Sequence, residues 1–238
     1  MVTLGIIGTG NIGAAIARLA VAAGIPVVLS NSRGPETLAS LVSELGPLAT
    51  AGKIEQAAAA GDVVVLSVPL TAHTAIPATL LEGKAVLDTT NYYPFRDGRV
   101  AELDEETLTT SELVFRHFQG AGLTKAFNNI LAHHIPQLSR PSGAPDRTAL
   151  PVAGDDVAAK AKVMNLIERL GFDAVDAGVL AASWRFEPEA AAFTRLYLAD
   201  PSTPDESLLD APAAAVPSER LIEALKRAEP VRVAERTF

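Results

Sequence analysis

The chain has 238 residues, 48% of them hydrophobic, enough for one large domain or one domain with a small appendage. Its formal net charge of −8 argues against nucleic acid and anionic membrane surfaces as partners, because both select for basic patches. The absence of cysteine excludes disulfides, thiolate metal sites and a catalytic thiol, and fits a reducing cytoplasm. No basic run precedes the first apolar residues and glycines soon interrupt them, so the start reads as a strand, not a signal peptide. No stretch approaches the roughly 18 apolar residues of a membrane span.

Thr3 to Ile7 is apolar and β-rich, and it runs into Gly8-Thr9-Gly10-Asn11-Ile12-Gly13. Ile12, Ala15, Ile16, Leu19 and Ala20 follow at helical spacing, Gly24 ends the helix, and Pro26 to Leu29 is a second strand. In this β-α-β unit, Gly8 allows the tight turn, Gly10 lets a pyrophosphate approach the backbone, and Gly13 lets the helix pack on the sheet. The helix N-terminus offers free N–H groups and the positive end of its dipole to the phosphates. Dinucleotide binding is therefore expected.

The second strand ends in Ser30-Asn31-Ser32-Arg33-Gly34-Pro35, without the acid that would hold a ribose 2′-hydroxyl. Small polar groups and one arginine suit a 2′-phosphate instead, which favours NADP over NAD. The same loop also serves to open the next helix at Pro35. Leu38, Leu41, Val42 and Leu45 make a second amphipathic helix, and Lys53 to Ala60 a short third. Asp62 to Val68 is a buried strand ending at Pro69. Carboxyl ends of parallel strands line the ligand crevice, so Ser67, Val68, Pro69, Leu70 and Thr71 are candidates to touch the cofactor.

Lys84 to Asp88 is another strand, leaving through Thr89-Thr90-Asn91-Tyr92-Tyr93-Pro94, again rich in hydrogen-bonding groups. Phe95 to Thr110 reads as an exposed acidic loop with helical parts and Ser111 to His117 as helix. Gly122 to Phe127 reads as a strand leading to Asn128, Asn129, Ala132, His133 and His134. Pro141 to Arg147 is a polar loop and Thr148 to Ala153 a strand. Asp155 and Asp156 cap a helix whose Val157, Ala161, Met164 and Ile167 face inward. Phe172 to Ala177 is one more strand, Gly178 opens a turn, and Leu180 to Tyr197 reads as a helix kinked at Pro188. From Asp200 the chain is rich in Pro and Ala, with one amphipathic piece at Leu221 to Lys226.

The expected fold is α/β: a Rossmann-type, doubly wound, mostly parallel sheet with a small C-terminal α/β extension. Residues 1–147 form the NADP-binding domain, 148–199 a part completing the acceptor cleft, and 200–238 the tail. None of the four histidines sits at metal-ligand spacing, and there is neither a Gly-x-Ser-x-Gly elbow nor a Gly-Lys-Ser/Thr phosphate loop. What remains is a nicotinamide site with no acid–base pair, which suits direct hydride transfer between two bound cofactors. His133, His134, Tyr92 and Tyr93 are the loosely suitable proton donors, each read first as structural, and no catalytic residue is assigned. The geometry of a doubly wound sheet puts the acceptor over the nicotinamide, walled by Thr9, Pro69, Asn91 and the turn from Ala181 to Trp184. Ser183 there is small enough not to come between donor and acceptor.

The glycine turn, Asn31-Ser32-Arg33, the run from Leu150 to Asp156 and Asp176-Ala177-Gly178 together resemble the NADPH:coenzyme F420 oxidoreductase family, over roughly residues 2 to 197. Lys125-Ala126-Phe127-Asn128 is similar to the reductase domain of the Steap metalloreductases. The resemblance implies a Rossmann domain and hydride transfer between NADPH and coenzyme F420, an 8-hydroxy-5-deazaflavin. It implies that Thr9, Gly10, Asn11 and Ile12 hold the pyrophosphate, and Ser32 and Arg33 the 2′-phosphate. Leu70 and Ala132 would lie along the nicotinamide, and Ser183, with Trp184 beside it, near the deazaflavin. The stretch from Asp88 to Pro94, the acidic loop after it and the extended tail depart from the archaeal members, and all three bear on the acceptor pocket. The expected protein is a cytoplasmic homodimer acting on a small-molecule hydride acceptor. An NADPH-dependent flavin or small carbonyl or imine reductase, and a non-catalytic NADP(H) sensor, are the alternatives.

Overall fold

A computed structural model of the chain describes residues 2–236. The strands and α-helices in order are β1 (Leu4–Ile7), α1 (Asn11–Ala22), β2 (Val27–Ser30), α2 (Ala39–Leu45), β3 (Ala49–Ala51), α3 (Ile54–Ala60), β4 (Val63–Leu66) and β5 (Ala85–Asp88). They continue with α4 (Pro94–Asp97), α5 (Ala101–Asp104), α6 (Thr110–His117), β6 (Gly122–Lys125), α7 (His134–Leu138), β7 (Ala149–Gly154), α8 (Val157–Arg169), β8 (Asp173–Gly178) and α9 (Ser218–Arg227). The short strand β3 carries no periodic signal and is an addition to the sequence reading.

All eight strands join one sheet in the order β3-β2-β1-β4-β5-β6-β7-β8. β1 and β4 are buried along their whole length, which is why neither alternates apolar with polar residues. One core layer packs α1, α2, α7 and α8 on the sheet through residues such as Ile16, Leu45, Ile135 and Val163. A second layer, on the other face, is built around Ile7, Val64, Leu66, Val86 and Val114. Strands β3 to β6 in this order run parallel, so Ser30, Ile7, Leu66, Asp88 and Lys125 end at one level. β7 is antiparallel to β6, and β8 is parallel to β7. Because Ala153 pairs with both Lys125 and Gly178, the beginnings of β7 and β8 stand beyond the carboxyl edge of the other strands. The C-terminal strands thus raise a wall beside the edge where a parallel sheet binds its ligand.

Two stretches differ from the sequence reading. Residues 180–197 are not one kinked helix but two 3-10 turns, Leu180–Phe186 and Thr194–Tyr197. Glu187 between them is extended, with φ −81° and ψ 171°, as the residue before a proline prefers, and Glu189 has φ 70°. The acidic stretch after Pro94 is more ordered than a surface loop. The Tyr92 hydroxyl, fully buried, donates to Gly98 O or Asp104 Oδ1 and accepts from Val100 N, and Leu103 is buried.

Glu187 is extended because its carboxylate has a fixed destination. It lies 3.4 Å from Lys125 Nζ at the end of β6, and both side chains are buried. Thr110 donates to it through its amide at 2.9 Å and its hydroxyl at 3.0 Å, so the carboxylate also satisfies the first turn of α6. Arg236 reaches it from the end of the chain at 3.4 Å. Lys125 Nζ donates in addition to Thr90 O and Ser111 Oγ, and Ser111 Oγ donates to Asp88 Oδ2 at 2.5 Å. Two anions and two cations are thereby matched in the interior at the carboxyl edge.

Burial alone would raise the Glu187 pKa, but Lys125, Arg236 and the Thr110 donors hold it below the usual glutamate value. A carboxylate depressed in the folded state adds stability that is present above its unfolded pKa of about 4.3 and lost as pH falls through the folded value. Removing one partner of a buried pair costs on the order of 3–5 kcal/mol. Glu187→Gln is therefore expected to lower Tm at pH 7 and to flatten the loss of Tm between pH 6 and about 3. Thermal unfolding across that range checks both; an acid limb as steep as wild type would remove Glu187 from this role.

Candidate active site

Three glycines do three different jobs at the end of β1. Gly8 has φ 95°, a conformation L side chains avoid, and a Cβ there would strike Ser67 O. A Cβ at Gly13 would strike Gly8 O, so the helix sits directly on the turn. Gly10 is neither strained nor crowded: nothing lies within 4 Å of the position its Cβ would take. It is the N-cap of α1, no side chain caps the helix, and the first turn carries no acid. Ala14 N bonds back to Gly10 O, which leaves the preceding amides of Asn11, Ile12 and Gly13 directed outward. An open backbone cradle with positive partial charge and no protein group filling it fits a pyrophosphate.

The loop after β2 is shaped by its own side chains. Asn31 Oδ1 accepts from Arg33 N at 2.9 Å, Asn31 Nδ2 donates to Thr37 Oγ1, and Thr37 Oγ1 donates to Gly34 O. Asn31 is thus occupied in holding the turn, while Ser32 and Arg33 are exposed at the strand end. Glu36, further along, has its carboxylate folded over Gly34, where it would meet a Cβ. Arg33 is exposed at this strand end, where no acid stands beside it.

Along the carboxyl edge, Thr9, Pro69 and Asn91 leave the adjacent strands β1, β4 and β5. Val68 touches the glycine turn and is half-buried, and Pro69 is exposed. Leu70 differs from expectation: its side chain is buried in the second core layer, so only its backbone faces outward. Thr9 Oγ1 is buried without a partner. Asn91 Nδ2 donates to Asn128 O at 2.7 Å and to the Tyr93 hydroxyl at 3.3 Å. Ala132 is half-buried after β6.

The expected acceptor wall is only partly assembled. Ser183 is fully buried, with its hydroxyl unpartnered, and a large residue there would disturb the fold before it blocked a ligand. Trp184 lines a separate cavity of about 320 Å³, together with Leu108, Val231 and Arg236. Of the four loosely suitable proton donors, three are structural. His133 and His134 both bond Ala211 O, burial depresses the His134 pKa, and Tyr92 holds the loop described above. Tyr93 alone borders an open cleft, an apolar cavity of about 470 Å³ shared with Leu131, Phe193 and Leu208. Burial raises the Tyr93 pKa and keeps its hydroxyl protonated.

Sequence reasoning missed two features here. Phe127, fully buried with its ring 5.5 Å from Phe172, has φ 59°, an unfavourable left-handed conformation for a bulky residue. It turns the chain so that Asn128 reaches Phe186 O, and Asn129 reaches Ala192 O and the Tyr197 hydroxyl. The second is the part of the tail that lines the apolar cleft. A lysine inside the apolar run from Gly122 to Phe127 was the available signal that this edge hides a partner.

An open glycine turn at the first strand, a bare helix N-terminus behind it and an acid-free second strand end define a dinucleotide-binding protein of the Rossmann class. The family model for NADP oxidoreductase, coenzyme F420-dependent, matches residues 3–92. The hypothetical protein SMa0349 from Sinorhizobium meliloti is 33% identical, with a TM-score of 0.70 over 80% of this chain and 92% of its own. The chain belongs to the coenzyme F420-dependent NADP oxidoreductase family, and it is an NADP-dependent oxidoreductase. An Arthrobacter sp. FB24 structure, provisionally described as an F420-dependent NADP-reductase, shares the fold at 24% identity and TM-score 0.64, over 77% of this chain and 87% of its own. A reductive aminase from Aspergillus terreus, in complex with NADPH, shares it at 18% identity and TM-score 0.53, over 76% of this chain and 56% of its own. No curated protein gives a significant match. Among the described residues no group of His, Asp and Glu could hold a metal, and no helix is long and apolar enough to cross a membrane.

Two substitutions test the cradle. Gly10→Val is expected to leave Tm in the absence of ligand nearly unchanged and to abolish the rise in Tm on adding NADPH, because its side chain enters space that only the pyrophosphate uses. Arg33→Ala is expected to weaken NADPH about tenfold or more while leaving NADH near its wild-type affinity. Titrations of both cofactors decide; equal wild-type affinity for NADH and NADPH would contradict the assignment.

Proposed function

We propose that the protein passes a hydride between NADPH and a deazaflavin of the coenzyme F420 type. The carrying observation is the open glycine turn at the bare N-terminus of α1, beside a second strand that ends without an acid. In this reading the amides of Asn11, Ile12 and Gly13, with Thr9 and Gly10, hold the pyrophosphate, and Ser32 and Arg33 hold the 2′-phosphate, with Asn31 fixing their loop. Val68, Pro69 and the Leu70 backbone lie along the ribose, and Asn91 and Ala132 flank the nicotinamide. NADPH supplies the hydride. NADPH, one proton and the oxidised deazaflavin give NADP⁺ and the reduced deazaflavin, the proton coming from solvent.

The chain's own contribution is positioning. Transfer requires the two reacting carbons roughly 3–3.5 Å apart, and holding two flat rings in register is worth far more than one added polar group. Asn91, fixed by Asn128 O and by the Tyr93 hydroxyl, gives the crevice a rigid polar corner. Family membership supports the deazaflavin, and so does the scarcity of proton donors, since reduction of a carbonyl or imine would ask for one. Tyr93 is the residue on which such a reductase would have to rely.

The experiment is NADPH oxidation by the purified protein against F420, flavins, carbonyls and imines. Turnover is expected with F420 and not with carbonyls or imines. Imine or carbonyl turnover that Tyr93→Phe abolishes would replace this reading with the reductase, and NADPH binding without any turnover would replace it with the sensor.

A further inference from the structure

The chain leaves β5 without regular structure, and no helix or strand includes residues 89–93. A carbonyl outside such elements must be met by some other donor. Here three successive carbonyls each accept from a different cationic side chain. Lys125 Nζ donates to Thr90 O at 2.9 Å, Arg96 Nη2 to Asn91 O at 2.9 Å and Arg236 Nη1 to Tyr92 O at 3.2 Å. Hydrogen bonds from charged donors are stronger than neutral ones, so the stretch is held firmly although it is a loop. Asn91 is its middle residue. The Asn91 side chain is fixed in turn, donating to Asn128 O and to the Tyr93 hydroxyl and accepting from Asn128 Nδ2 at 3.0 Å.

The three cations are not equivalent. Arg96 is exposed and paired with its neighbour Asp97. Lys125 and Arg236 are buried, and they share one anion: Glu187 Oε1 lies 3.4 Å from Lys125 Nζ, and Glu187 Oε2 lies 3.4 Å from Arg236 Nη2. Arg236 alone spans two partners with a planar fork, one nitrogen on the carboxylate and one on Tyr92 O. Its Nε is buried without a partner, so those two contacts are all that the guanidinium makes. Docking of the segment after α9 has other supports. Arg99 Nη1 donates to Ala234 O at 2.8 Å, Val233 packs against the second core layer, and α9 buries Leu221 and Leu225. The guanidinium is therefore spare for docking and specific for the loop.

We propose that Arg236 is a positioning residue for the nicotinamide ring and acts through Asn91. Lys125 and Arg236 hold the carbonyls of the residues before and after Asn91, and Glu187 holds the two cations to each other. The polar corner that meets the nicotinamide is thereby preorganised by a residue far away in sequence. The inference rests on the reading that Asn91 flanks the nicotinamide. It adds that the segment after α9 belongs to the cofactor site, and that its influence is confined to the nicotinamide half. The phosphates are gripped elsewhere, at the ends of β1 and β2.

Two ligands separate the halves of the site without any turnover: NADPH, and adenosine 2′,5′-bisphosphate, which keeps the 2′-phosphate and lacks the nicotinamide. Arg236→Ala is expected to weaken NADPH about tenfold and to leave the bisphosphate at its wild-type affinity. Asn91→Ala is expected to do the same. Combining the two should cost no more than Asn91→Ala alone, because both remove one contact. Arg236→Lys covers the case in which the alanine variant disturbs the fold. It keeps a charge beside Glu187, so Tm should match wild type, whereas the loss of NADPH affinity should persist because an ammonium cannot span both acceptors. Wild-type NADPH affinity in Arg236→Ala or in Arg236→Lys would overturn the positioning role. So would an equal loss of both ligands, or losses that add in the double variant. Wild-type NADPH affinity in Asn91→Ala would refute the placement of the nicotinamide itself, and the inference with it.

Discussion

Lys125 enters the interior at the end of a buried strand, and the C-terminal part of the carboxyl edge is arranged around it. A desolvated ammonium is tolerated only with an anion and enough acceptors around it. Glu187, Ser111 Oγ and Thr90 O meet the requirement. To deliver Glu187, the chain after β8 must break its helical turn and run extended into Pro188. To hold Glu187 in place, α6 begins where it does and Arg236 is drawn in from the chain's end. Glu189 and Ala190, which line the apolar cavity, follow Glu187 directly, so the position of that wall depends on the ion pair.

Most of the cofactor side could be read from residue order because it is made of backbone. The roles of Gly8, Gly10 and Gly13 depend on what a side chain would displace, and their spacing alone states that. Burial on both faces left apolar runs such as Val63–Leu66, and Asp156, which accepts from Ala159 N, marked the start of α8. The three-residue strand β3 escaped because Ala-Thr-Ala has no pattern to detect.

The acceptor side was less legible because it is made of long-range pairings. Nothing local to Leu180–Tyr197 reveals that Glu187 will be held by a lysine more than sixty positions earlier, so a helical pattern was the natural reading of that stretch. Ser183 and Trp184 were placed by the assumption that strand ends gather at one edge. The reversal of β7 and β8 turns those residues to other surroundings, one into the core and one toward the chain's end. The left-handed Phe127 could not be anticipated either, since its cost is borne by packing against Phe172.

The loop from Ala199 to Pro212 is tied at its two ends. Lengthening such a loop costs little in chain entropy, and most of its own residues are solvent-exposed. Insertion, deletion or exchange of this one surface segment can therefore reshape the cavity that Leu208 and Leu209 line without disturbing the sheet that carries the glycine turn.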